Sequence, residues 1–303
     1  MTLDEYQSSY DKLIVDNACS KQMIDLLKDW SLELIRANLL DAAQDKVDEF
    51  IYRAFSYNLT PYKGYQFFSF RGFSDYSLND IKTGKLSLAH PEEFNDPLDT
   101  VLFAYFKRQV KIETNPVNLA RHFMVLKAAN QLRMRCFVRT TPLVEKDGTP
   151  GKEQQDVSDI NPLMWAHYAQ YHTGFCACYE LDDTFVKYSD ADMSFTRMCI
   201  MDYKNEIDLS KGLKIGDAFS WKNAIWKYEN EVRCIYLDFK NDKQFKEVDA
   251  PPLKAIYLGL KCSDENRHKM ELALRSQRKK NVELYQMQID PSNICKLIPI
   301  RIG

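Results

Sequence analysis

No Cys-x-x-Cys pair occurs in this 303-residue chain, although it carries eight cysteines. Its five histidines do not fall near those cysteines at metal-ligand spacing, which argues against a zinc centre. No apolar run reaches the roughly 20 residues that a membrane-spanning helix needs. Charge of one sign is missing too. With 41 Lys and Arg against 43 Asp and Glu, the formal charge is −2, so no global field draws the chain toward nucleic acid or an anionic membrane. There is no internal repeat and no low-complexity tract. The N-terminus shows no secretory leader, so reduced, mostly buried thiols and a cytoplasmic location are expected.

What remains is globular: 45% hydrophobic and 13% aromatic residues supply ample core. The length fits one large domain, or one domain with an appendage. Residues 1–60 read as an N-terminal helical region. Met23, Leu26, Leu27, Trp30, Leu34 and Ile35 recur at three- and four-residue steps, and Val47, Phe50, Ile51 and Phe55 repeat the pattern before Pro61 stops it. Such a stripe needs a covering surface, either on residues 61–303 or in a second copy, which makes a homo-oligomer through these helices an expectation.

From Tyr65 the texture becomes strand-like. Strands are predicted at 66–73, 85–89, 134–140, 175–181, 232–239, 255–260 and 282–289. Ser77-Leu78-Asn79-Asp80 reads as a box opening a short helix that Gly84 closes. Helices are predicted over 117–131 and 263–279, and Asn161 caps a further one that Gly174 ends. The polar stretch 145–159 reads as a loop, and Arg275 to Lys280 as a basic helix end. Without strict alternation of strand and helix, the fold class is α+β, a mixed central sheet with flanking helices. Cys176 and Cys178 alternate within a strand and so share one face.

Three motifs carry chemistry. Phe70-Arg71-Gly72 places a guanidinium fork on a strand, beside a glycine that lets a ligand approach the backbone. In the second, Trp165, Tyr168 and His172 are spaced for one helical face, a cleft wall with polar tips on Tyr168 and His172; His167 falls off that stripe. In Glu229-Asn230-Glu231-Val232-Arg233, strand alternation puts Glu229, Glu231 and Arg233 on one side. Two carboxylates together suit glycosyl chemistry, and Arg233 and Lys222 are candidate counter-charges. The bland alternative is a surface salt bridge at a strand start. Asn95-Asp96-Pro97 reads as a tight turn, with Asp96 and Asp99 the alternative cation ligands.

These segments resemble a bacterial family, the domain of unknown function 2971. The resemblance runs through Phe68-Ser69-Phe70-Arg71, Phe94-Asn95-Asp96-Pro97, Cys136-Phe137, Met164 to Ala169 and His172 to Phe175. It continues in Lys222, Trp226, Glu229, Glu231 and Arg233, and it covers residues 65 to 290. Ser69 stands where the family commonly has Lys or His, and Val138 where it often has Ser. Arg71-Gly72 with the later Glu229-Asn230-Glu231 is also similar to ADP-ribosyltransferases, without their Ser-Thr-Ser strand. That resemblance implies an ADP-ribosyltransferase-like fold and an enzyme of antiphage or toxin type that transfers ADP-ribose from NAD to a macromolecular acceptor. By it, Arg71, Gly72, Tyr168 and Trp165 bind NAD, with Tyr168 stacked on the nicotinamide. Glu231 supports the ribosyl cation, and Glu229 acts on the acceptor; no metal is implied. The rival readings are a partner-binding module, and a nuclease using a metal on Asp96, Asp99, Glu229 and Glu231.

Overall fold

The computed structural model describes residues 65–102, 105, 108, 131–140, 156–182, 185, 188–189, 194–207, 220–238, 246–276 and 282–303. The N-terminal helices, the helix at 117–131, most of the loop at 145–159 and the end of the basic run lie outside the described residues. The main body is a mixed nine-stranded sheet with helices on it, so the α+β class stands.

The sheet's centre is made by aromatic and cysteine-rich segments that have little to offer water. In chain order the strands are β1 (Gln66–Arg71), β2 (Lys85–Leu88), β3 (Arg133–Val138), β4 (Phe175–Glu180), β5 (Tyr188–Ser189), β6 (Ser194–Ile200) and β7 (Asp202–Lys204). They continue with β8 (Trp221–Asn223), β9 (Glu231–Asp238), β10 (Lys246–Asp249), β11 (Leu253–Leu258), β12 (Glu283–Asp290) and β13 (Asn293–Arg301). The large sheet runs β13-β12-β11-β4-β1-β3-β9-β6-β5, while β2 pairs with β10 and β7 with β8 in two small sheets. Only the β11–β12 pairing of the large sheet is parallel.

Central strands are buried on both faces, which explains their near-continuous apolar texture. Phe67, Phe137, Phe175, Ala177, Val232 and Ile256 point to one side. There they meet Leu78 and Ile81 of α1 (Asp75–Thr83) and Met270 and Ala273 of α3 (Asp264–Ser276). Phe68, Phe70, Val138, Cys176, Cys178 and Met287 point to the other, against Met164 and Trp165 of α2 (Leu163–Tyr168). Cys176 and Cys178 therefore share a face, as their spacing requires.

Two local expectations need correction. The box on α1 is made by Ser74 and Ser77, not by Ser77 and Asp80; Ser74 caps the helix and Gly84 ends it. Asp80 is instead buried and takes Arg135 as a partner, so its carboxylate serves the core and not the helix start. The helix with the tryptophan motif stops at Tyr168, and His172 lies beyond it. Gln170, Tyr171 and His172 each adopt a left-handed conformation, with φ of 49°, 56° and 70°.

One irregularity of the sheet sets up everything that follows. β1 pairs with β4 along its whole length but with β3 only through Phe68 and Val138. At its other end β3 has turned to Ala89, whose backbone exchanges two hydrogen bonds of 2.9 and 2.8 Å with Met134. Backbone polarity alternates along a strand, so the Cys136 N–H and carbonyl point into the fork between. The sheet is split there.

Candidate functional site

A cavity of about 630 Å³ occupies this fork. Its walls come from the facing edges of β1 and β3, from the rim of α2, and from the segment joining β8 to β9. Arg71, Gly72, Tyr168, Glu229 and Glu231 all line it.

They do not share a face. Register fixes Arg71 beside Phe175 and therefore on the α1 side, whereas Glu231 aligns with Val138 and Phe68 on the α2 side. Residues of both parities reach one cavity because the strands between them have parted. Had β1 and β3 stayed paired, Arg71 and Glu231 would be on opposite sides of a closed sheet.

The carboxylate end is a buried network. Glu229 ends a 3-10 helix, Ala224–Glu229, and is not on the strand as expected; Asn230, at φ 45°, turns the chain so that Glu231 opens β9. Both carboxylates still converge on Lys222 of β8. Lys222 Nζ lies 2.6 Å from Glu231 Oε2 and 3.8 Å from Asp99, and it also binds Glu229 Oε2. Arg233 donates to Glu231 Oε1 at 2.5 Å and approaches Asp99 at 3.1 Å. Lys222, Glu229, Glu231 and Arg233 are each under 5% exposed, so this is not a surface salt bridge. Two aromatic faces complete the seat: Trp226 under Lys222 and Phe94 under Arg233, each at 5.4 Å.

The two glutamates differ in what surrounds them. Burial alone would raise Glu231, but Arg233 and Lys222 together overcome it and hold this carboxyl well below its ordinary range. Burial wins at Glu229, whose pKa is raised even though Lys222 and Tyr168 favour its ionised form. Asp99 is likewise raised by burial. Three carboxylates against two cations leave one negative charge when all are ionised. The cavity thus offers a permanent anion next to a carboxyl that exchanges its proton more readily.

The opposite end is cationic. Arg71 has its pKa lowered to about 10, first by the charge of Arg135 and then by burial. Arg135 is held by Ser69 Oγ at 3.1 Å, by the Ser87 carbonyl and by Asp80 at 3.4 Å. The Arg71 guanidinium makes no hydrogen bond or ion pair among the described residues, although the charge of Asp80 favours its cationic form. Two guanidiniums that repel across a cavity wall form a seat for an anion.

Two expected ligand contacts change. Trp165 is 1% exposed and does not reach the cavity; it meets the edge of Phe70 at 5.0 Å and stacks under His172, so it supports the wall from behind. Tyr168 lines the cavity, but its hydroxyl donates to Glu229 Oε1 at 2.5 Å. It anchors a carboxylate through its hydroxyl while the residue lines the cavity. His167, off the helical stripe, lines the cavity and shares a 3.1 Å hydrogen bond with Tyr228.

The sequence reading missed Arg135, Tyr203 and Gln170, and it named Phe94 without its place under Arg233. Arg135 shares its strand and face with Arg133, and what sets it apart is its place beside Ser69 and Asp80, visible only once the register is known. Tyr203 accepts the Glu231 N–H at 2.7 Å from a strand far off in sequence, and nothing local marks it. Asp96 behaves as the turn residue it was read as, accepting the Leu98 N–H at 2.9 Å. Among the described residues, no group of three His, Cys, Asp or Glu side chains is placed to hold a metal ion, and no helix is long and apolar enough to cross a membrane. No family model matches the chain, and neither a curated protein nor a solved structure does.

Proposed function

We propose that this chain binds NAD in the split-sheet cavity and transfers its ADP-ribosyl group to an acceptor. The observation that carries this reading is the polarity of one cavity: an unpartnered Arg71 beside Arg135 at one end, and the Glu229–Glu231 pair at the other. A diphosphate suits the first end. A ribose bonded to a cationic pyridinium suits the second, where the net charge is negative when all three carboxylates are ionised.

The chemistry follows from the difference between the carboxyls. The C1′–N bond breaks and its electron pair leaves with the pyridine nitrogen, which becomes neutral. Positive charge grows on the ribose, and Glu231 is already ionised and fixed by Arg233 and Lys222, so it stabilises that charge without reorganising. An acceptor nucleophile then bonds to C1′ and gives up its proton. Glu229, with its raised pKa, takes that proton, since a base works best when its pKa lies nearer the working pH. Tyr168 holds Glu229 in place throughout.

Nicotinamide release from NAD, together with transfer of label from its adenylate half, tests the reading. Glu231→Gln keeps the shape of the side chain and removes its charge, so turnover of the folded protein should fall about a hundred- to a thousandfold; Lys222 and Arg233 also lose a buried partner, so circular dichroism checks that the variant is folded at the assay temperature. Arg71→Lys should chiefly weaken NAD binding, because an ammonium lacks the planar fork. A parent protein that neither binds NAD nor releases nicotinamide would sink the proposal and leave the partner-binding reading.

A further inference from the structure

The turn after α2 is strained in three consecutive residues, and the strain is held from outside. A left-handed residue other than glycine costs about 1–2 kcal/mol, yet Gln170, Tyr171 and His172 are all left-handed. Such strain persists where the surroundings over-determine it, most often at functional sites. Here two glycines let neighbouring backbone close on the turn. A Cβ at Gly174 would lie 2.2 Å from the Arg71 carbonyl oxygen, and one at Gly259 would lie 2.3 Å from that of His172. Hydrogen bonds from Lys261 to the His172 carbonyl at 2.9 Å and from Gly174 to that of Ala169 at 2.8 Å complete the clamp.

What the clamp delivers is the Gln170 side chain. Gln170 lines the cavity, lying so close over Gly72 that a methyl group there would come 3.0 Å from its Oε1. Its carboxamide has no hydrogen-bond partner among the described residues. A primary amide presents a donor and an acceptor side by side, and it pairs with a flat group carrying the reverse pattern.

We propose that Gln170 is a specificity-determining residue that reads a planar donor–acceptor edge on the ligand, next to the anion seat of Arg71 and Arg135. The proposal rests on the dinucleotide reading above for the nature of the ligand. Such an edge has two sources within a dinucleotide of this kind, the adenine ring and the nicotinamide carboxamide.

Calorimetric binding of two nucleotide pairs to the full chain separates them. Adenosine and purine riboside diphosphates differ in the donor on the purine edge; nicotinamide and 3-acetylpyridine mononucleotides, equal in charge, differ in the donor on the pyridine substituent. The wild type should prefer the donor-bearing member of one pair by about 2- to 10-fold, the discrimination of one net hydrogen bond. Which pair shows the preference identifies the source. Gln170→Ala should abolish the preference while phosphate-driven binding persists, and Gln170→Asn, which keeps the amide and tolerates the left-handed backbone, should recover part of it. Gln170 is exposed, so both variants should fold. Equal binding within both pairs by the wild type, or a preference that survives in Gln170→Ala, overturns this proposal alone. If none of the four nucleotides binds, it falls together with the reading it rests on.

Discussion

Removing Lys222 should expose how much of the cavity's stability is electrostatic, and the effect should depend on pH. Lys222 is 4% exposed and, among the described residues, is the only cation shared by Glu229, Glu231 and Asp99. Lys222→Met keeps length and apolar stem but leaves Arg233 alone against three carboxylates. Breaking a buried pair on one side costs about 3–5 kcal/mol, so the loss at pH 8 should be of that size. Its pH dependence follows from the directions of the shifts. Glu231 has a folded pKa below its unfolded value; its contribution is present above about pH 4.3 and is lost as pH falls through the folded value. Glu229 and Asp99 are raised, so the folded state binds their protons more tightly and they cost stability as pH rises. Without Lys222 all three should titrate higher. At pH 5 more of them carry protons, and each unit of upward shift recovers about 1.4 kcal/mol. Urea unfolding of both proteins at pH 8 and pH 5 should therefore show a deficit that shrinks by at least about that amount. An equal deficit at the two pH values would refute the charge network as the cause.

Two further outcomes are expected. In Tyr168→Phe, Glu229 loses the hydroxyl that favours its ionised form, so its pKa should climb further. The acid limb of label transfer to the acceptor should then move to higher pH by about one unit, the size of a hydrogen bond to a charged group; an unmoved limb would remove Glu229 as the base. Tyr171→Gly should raise stability by about 0.5–1 kcal/mol in thermal unfolding, because glycine relieves a φ of 56° at the cost of unfolded-state entropy. Tyr171 is 77% exposed and has little packing to lose, so a destabilised variant would contradict the strain argument.

The middle of the large sheet was legible in the sequence because its strands are apolar on both faces and bounded by polar turns; β5, β6 and β13 were not read as strands, and β13 is nowhere fully buried, so no apolar run marks it. Predicted and observed ends of β4, β9, β11 and β12 differ by a few residues. Alternation correctly placed Glu231 and Arg233 together, since it depends only on their separation by two. The same rule misled for Glu229, because Asn230 in a left-handed conformation breaks the strand between them. Helical spacing misled for His172 in the same way: the period of 3.6 continues in the sequence, but three left-handed residues end the helix at Tyr168. The meeting of Arg71 with Glu231 was guessed from complementary charge, but its route was not legible. It depends on β1 and β3 parting after Phe68 and Val138, a property of two strands about 65 residues apart. Arg135 follows from the same register, and no local pattern announces it.

A structure of the protein with NAD bound tests the central claim most directly. The diphosphate should lie on Arg71 and Arg135, with the ribose C1′ within about 3–3.5 Å of a carboxylate oxygen or of a nucleophile held by Glu229, the separation of a reactive geometry. A nucleotide seated outside the fork between β1 and β3, or one with its diphosphate against Glu229 and Glu231, would contradict it.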